Sequence, residues 1–236
     1  MKIAVIYSGL VRPQGRRHKD NIWKMKCVLP SADFYYTTWK GYHDDFNWVD
    51  TYFDEPRLKY NCDHWHMKQA VQAMRNINDP DDEKYKKARN RLRHRNKGRN
   101  LIKQHLAHAL AVEKYGNGYD LIVRIRYDLT FSKDFTFEEA TNCAEIAYDT
   151  GIPFGVGAID ENKFEPGKIH HSNDWTVLPD FCIFHRADKF DPLYVWDLYD
   201  KKELNGGEHG WYQILCEPYE KEMYIANQMW MTPWAS

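Results

Sequence analysis

YDLIVRIRYDLTF, residues 119–131, reads as a strand in which two arginines and an aspartate sit among apolar residues. Side chains alternate between the two faces of a strand. Leu121, Val123, Ile125, Tyr127 and Leu129 therefore share one face, and Ile122, Arg124, Arg126 and Asp128 the other. The first face is core and the second ionic. Two guanidiniums on adjacent same-face positions lie about 7 Å apart, and neither can be buried without an anion to hold it. That anion is either the protein's own, Asp128 and acids of neighbouring elements, or a ligand diphosphate, whose oxygens suit the planar donor fork. With a ligand, Asp128 would meet a divalent cation or a sugar hydroxyl. Open α/β sheets bind ligands outside the carboxyl ends of their strands, where Asp128 falls, and this tilts the reading toward a ligand.

Outward from this strand, KIAVIYSG (2–9) has the unbroken apolar run of a parallel strand buried on both faces. Asp20 can cap a helix carrying Ile22, Met25 and Leu29, and ADFYYTTW (32–39) completes a βαβ unit. Residues 41–61 are aromatic and irregular. MKQAVQAMRNI (67–77) regains helical spacing, and Asp81, Asp82 and Glu83 suit the start of another helix. After Gly98 a core face forms from Leu101, Ile102, His105, Leu106, Ala109, Leu110 and Val112, and YGNGY closes that helix. Further on, TFEEATNC reads as a short helix, AEIAY as a strand, and 150–179 as loop. FCIFHR reads as a strand, 187–199 as a helix with an early proline, GGEHGWYQIL as a helix entered from glycines, and MYIAN as a last strand. This order predicts a three-layer α/β/α domain over 1–236, with a mainly parallel sheet and an aromatic and basic helical insertion at about 41–100.

Composition sets outer bounds. With 33 basic against 34 acidic side chains and 43% hydrophobic residues, the chain is neither a polyelectrolyte nor disordered. Five scattered cysteines with no C-x-x-C pair encode neither a disulfide framework nor a zinc ribbon, and point to a reducing compartment. No stretch of 18 apolar residues occurs, and the short apolar run at the start is cut by Gly9 and Arg12, so a cytoplasmic protein is expected.

KIAVIYSGLVRP, ADFYYTTW, YDLIVRIRYDLTF, LPDFCIFHRADKFD and GGEHGWYQIL, in this order and spacing, resemble a group of bacterial and viral glycosyltransferase-like proteins related to the WavE type of lipopolysaccharide synthesis. The resemblance covers most of the chain outside 41–100. It implies a GT-A-like fold and a nucleotide-diphosphate sugar donor, with host cytoplasm as the location if the source is viral. It also places SGLVR against the nucleotide, making Ser8, Gly9 and Arg12 cofactor-binding candidates beside Arg124 and Arg126. The family's metal-binding D-x-D is here R-x-R-x-D. Arg126 stands in place of the first acid, which leaves Mn²⁺ or Mg²⁺ dependence open, with Asp128 the remaining metal ligand.

Glycosyl transfer to a glycan hydroxyl needs positive charge at the leaving diphosphate and a group that takes the acceptor proton. Asp180, which the resemblance matches to a family acid, and Glu208, at a helix start, are the catalytic candidates, with Asp174 and His209 behind them. Each has a plainer role available: Asp180 as a turn residue or as partner of Arg124 or Arg126, Glu208 as an acid favoured by the helix dipole. Cys62, His64 and His66 could form a metal corner but lack a fourth ligand at fixed spacing. The basic run from Lys84 to Arg99 carries charge around most of a helix. It is either a solvated insertion or the anion-binding face of a non-catalytic module with a degenerate transferase fold. The overall charge balance argues against nucleic acid as the main partner.

Overall fold

The computed structural model describes residues 1–11, 16–41, 46–54, 81–131, 135–157, 168–201, 203–227 and 231–233. Eight strands form one sheet in the order β3-β2-β1-β4-β8-β6-β9-β7, where β1 is Ile3–Ser8, β2 Asp33–Trp39, β3 Thr51–Phe53, β4 Leu121–Ile125, β6 Phe154–Gly157, β7 Ile169–Ser172, β8 Cys182–Arg186 and β9 Met223–Asn227. The pairs from β3 through β4 are parallel, β8 runs antiparallel to both β4 and β6, β6 and β9 are parallel, and β7 is antiparallel to β9. Two short strands, β5 (Leu129–Phe131) and β10 (Met231–Pro233), pair separately.

Among the described residues five α-helices cover the sheet: α1 Arg16–Val28, α2 Glu83–Tyr115, α3 Phe137–Thr150, α4 Pro192–Lys201 and α5 Gly207–Leu215. Met25 and Val28 of α1 and Ala140, Cys143, Ala144 and Ala147 of α3 join one core with Val5, Tyr7, Val123 and Ile125. Leu106 and Ala109 of α2, Val195 of α4 and Trp211 of α5 join a second core with Ala4, Ile6 and Ile122. The expected three layers are therefore present, and the alternation in β4 assigns its apolar side chains to the two faces as read. Its second face is not an open ionic surface, however, because α2 and α5 cover it.

Several local expectations change. Residues 119–131 are not one strand: β4 stops at Ile125, and Arg126–Asp128 form a bend before β5. Helix α1 already includes Arg16, so Asp20 lies inside it rather than capping it. The basic run and the core-facing segment after Gly98 form one helix of 33 residues, whose N-cap Asp82 accepts from the Lys84 amide. Strong helix formers on both sides carry it through the glycine. AEIAY is helical, because Ala140, Cys143, Ala144 and Ala147 recur at helical spacing between the Thr136 N-cap and a left-handed Gly151. The 150–179 segment contributes β6 and β7. Gly155 and Gly157 of β6 lie so close to Pro179 that a Cβ on either would meet it at 2.9 Å or less, a tertiary fit that periodicity does not report. The predicted helix at 67–77 and the Cys62, His64, His66 corner lie outside the described residues. Among the described residues no helix is long and apolar enough to cross a membrane.

Candidate functional site

β1 and β4 are adjacent parallel strands, and the strand order reverses at β1, with β2 on one side of it and β4 on the other. The chain leaves β1 into α1 and leaves β4 through β5 into α3, and both helices pack on one face of the sheet, while α2 leads into β4 on the other. Open α/β sheets bind ligands in the crevice outside the carboxyl ends of their strands. Ser8 and Gly9 end β1 there, and Arg126, Tyr127 and Asp128 follow β4.

The bend after β4 is held from α1. The Asn21 amide lies 3.3 Å from each of the carbonyls of Arg126, Tyr127 and Leu129, and the Tyr7 hydroxyl donates to Asn21 Oδ1 at 2.7 Å. The Tyr127 hydroxyl reaches the carbonyls of Tyr7 and Thr37 at 3.0 and 2.9 Å, tying the bend to β1 and β2. Arg126 N donates to the Phe181 carbonyl, which brings the segment before β8 to the same edge.

The two guanidiniums are held by the protein's own acceptors. Arg124 is fully buried. Its Nη1 donates to the Asp180 carbonyl and lies 4.0 Å from Asp180 Oδ2, and its Nη2 donates to Gln104 Oε1 at 2.7 Å. The plane rests 4.8 Å from the centre of the Trp211 ring. Burial pulls the guanidinium down to about 10, with Asp180 opposing, so it stays protonated at neutral pH. Arg124 is thus a structural cation rather than a phosphate ligand, because its two terminal nitrogens are engaged and it has no exposed surface.

Arg126 grips Asp128 with two bonds, Nε to Oδ1 and Nη2 to Oδ2, both 2.8 Å, and reaches Asp180 Oδ1 through Nη1 at 3.0 Å. Burial works against its charge, but Asp180 and Asp128 outweigh it and raise the guanidinium above its ordinary value. Its side chain is 19% exposed and that of Asp128 13%, against 5% for Asp180. Two of the expected site residues are engaged by the protein itself. Asp180 is the shared counter-ion of both arginines and is buried. Both oxygens of Asp128, the expected metal ligand, accept from Arg126.

Ser8 is also committed inward. Its hydroxyl lies 3.3 Å from His108 Nδ1, and His108 Nε2 lies 3.2 Å from His185 Nε2. His185 Nδ1 faces the Arg186 carbonyl at 3.0 Å, which can only accept, so this nitrogen carries the hydrogen. Its Nε2 then accepts from His108, and His108 Nδ1 accepts from Ser8. Burial holds His185 at about 4 and, with the neighbouring His185 and Arg124, His108 well below its ordinary value, so both rings are neutral as this chain requires. At Ser8 and Gly9 only the backbone is left for a ligand. Gly9 has φ 123, and a Cβ there would meet Gln104 Cγ at 3.2 Å, so the turn needs glycine on two counts. Arg12 lies outside the described residues.

Glu208 sits in the first turn of α5 and is half-buried; its carbonyl accepts from Leu178 N, which ties this helix end to the segment leading into Asp180. His105 Nε2 meets the Gly207 carbonyl at 3.0 Å from α2. Asp174 accepts from Ser172 Oγ, and His209 Nδ1 faces the Thr176 carbonyl, so both serve the same loop. A Cβ on Gly210 would fall 2.6 Å from His105 Cε1 and against the Asn205 carbonyl. Gly210→Ala is expected to cost about 2 kcal/mol by overpacking, measurable by urea unfolding. Sequence reading placed His105 on a core face but missed Gln104, His108, His185 and Asn21. The available signal was polar residues at i, i+1 and i+4 on an otherwise apolar helix stripe.

No protein-family model matches the chain, and no curated protein matches it; the likeness to the WavE type finds no support there. Solved structures similar to it include a glycosyltransferase involved in glycosylation of the major capsid of PBCV-1, 10% identical with a TM-score of 0.38 over 94% of this chain and 72% of that one. Mouse xyloside xylosyltransferase 1 is 8% identical with a TM-score of 0.38, over 96% of this chain and 84% of that one. A protein described as a glucose-1-phosphate thymidylyltransferase of Bacillus anthracis is 13% identical with a TM-score of 0.38, over 86% and 83%. At such distance these likenesses carry nothing about chemistry.

Proposed function

We propose that the chain is a glycosyltransferase that takes a nucleotide-diphosphate sugar into the crevice between β1 and β4 and passes the sugar to a glycan hydroxyl. The observation that carries this reading is the partly exposed Arg126–Asp128 pair, which follows the carboxyl end of β4 beside that of β1. On donor entry Arg126 exchanges Asp128 for a phosphate oxygen while Asp180 keeps its hold on Nη1, and Asp128 turns to a sugar or ribose hydroxyl. Arg12 supplies further positive charge, as the family resemblance implies. The bond between the anomeric carbon and the diphosphate breaks and its electron pair leaves with the nucleotide. The acceptor oxygen bonds to the anomeric carbon and its proton passes to Glu208.

Release of nucleoside diphosphate from a panel of uridine, guanosine and thymidine diphosphate sugars tests this reading. At least one donor should be turned over, and Glu208→Gln should slow release about a hundredfold while donor affinity holds. Equal release by both proteins would remove Glu208 from the mechanism.

A non-catalytic binding role is the second reading, and a specific observation favours it: Arg124, Arg126, Asp128 and Asp180 neutralise one another. A module of that kind would bind an anionic surface through the basic helix in a salt-sensitive way and be indifferent to Asp128→Asn.

A further inference from the structure

We infer that a second cleft, distinct from the β1/β4 crevice, is a binding site for a neutral saccharide. It is an open depression of 680 Å³ between the start of α4 and the turn after α5, within the roughly 300–1,000 Å³ of small-ligand sites. Ile214, buried on α5, forms its apolar wall; Tyr194 and Tyr219 stand at its sides; Asp191, Glu217 and Lys221 form its rim. Ile214 lies six residues beyond Glu208 on the same helix, about 9 Å along its axis.

The rim is built rather than loose. Glu217 N donates to the Tyr212 carbonyl, and the amides of Tyr219 and Lys221 both donate to the Cys216 carbonyl. Glu220 and Lys221 complete the turn in the left-handed region, at φ 55 and 63. On the other side Asp191 Oδ1 accepts from Leu193 N at the start of α4.

Charge selects the ligand. Two carboxylates, Asp191 and Glu217, oppose an anion such as a nucleotide phosphate. A cation is opposed by Lys221, and by Lys189, whose ammonium already lies 4.5 Å from the centre of the Tyr219 ring. Among the described residues neither Glu217 nor Lys221 closes an ion pair. Carboxylates only accept and an ammonium only donates, so the rim calls for an uncharged ligand rich in groups that do both, with an apolar face for the tyrosines. A saccharide has that combination. Burial and the Glu217 carboxylate push the Tyr194 phenol up, which keeps it a donor.

The inference does not rest on donor binding at the crevice. Its test is titration of the whole chain with maltotriose, cellotriose, mannotriose and lactose by ligand-observed NMR, with spermidine and pyrophosphate as charged probes. At least one saccharide should bind at millimolar concentration. Glu217→Gln, at an exposed position, and Tyr219→Leu should each weaken it about tenfold, while Arg126→Lys leaves it unchanged. Absence of saccharide binding, binding that survives both cleft variants, loss in Arg126→Lys instead, or a response in which Glu217→Gln affects only spermidine or pyrophosphate would each overturn the assignment.

Discussion

Asp180→Ala is expected to destabilise the protein by about 3–5 kcal/mol, the usual cost of removing one partner from a buried ion pair. Asp180 is the carboxylate nearest Arg124 and also anchors Nη1 of Arg126. Without it a guanidinium with no exposed surface would keep only a backbone carbonyl and the Gln104 amide. Arg124→Met behaves differently, because it removes the buried charge, fills much of the volume beside Trp211, and leaves Asp180 paired to Arg126. Its cost should be well below that of Asp180→Ala. Urea unfolding of the two variants beside the parent checks both statements. A small loss in Asp180→Ala would mean that Arg124 is not confined as described.

Mild acid should unfold the protein well before its carboxylates titrate. Burial holds His105 at about 3 and His185 at about 4, and His108 well below its ordinary value, against 6.5 for each in the unfolded chain. Between those limits the unfolded state binds more protons than the native state, so stability rises with pH. The three rings contribute fully above pH 6.5, and their contribution is lost as pH falls below that value toward the native-state values. Each adds a slope of about 1.4 kcal/mol per pH unit, or about 4 for the three together. Unfolding free energies at closely spaced pH values from neutral down to 5 should show that slope, and His185→Gln should reduce it by about a third. A flat profile over this range would show that the imidazoles are not sealed from water.

Strands β1, β2, β4, β8 and β9 were legible in the sequence because buried strands such as Ile3–Ser8 are apolar runs and alternation assigns the faces of Leu121–Ile125, whereas β3, β6 and β7 are short and lie in stretches without periodicity. What covers those faces was not legible. Arg124 looks like a ligand-facing charge until α2 brings Gln104, and α5 brings Trp211, onto its face from 20 residues before and 87 residues after in the chain. Asp180 was legible as an acid beside β8, but its roles as base and as counter-ion carry the same local signal, and only the antiparallel register of β4 and β8 decides between them. The same limit explains AEIAY, a plausible strand in isolation that becomes helix because small residues at helical spacing fit under the sheet. Ser8 was read as a nucleotide contact, yet its hydroxyl points into a histidine chain whose members are 100 and 177 residues away.

The central claim, that the β1/β4 crevice receives a nucleotide-diphosphate sugar on Arg126, is tested most directly by thermal shift. The parent and Arg126→Lys are compared across a panel of nucleotide sugars with and without manganese. Lysine keeps the charge but loses the two-pronged fork. The account predicts that at least one donor raises the Tm of the parent without manganese and that Arg126→Lys loses most of the shift. No shift with any donor, or an equal shift in both proteins, would contradict it.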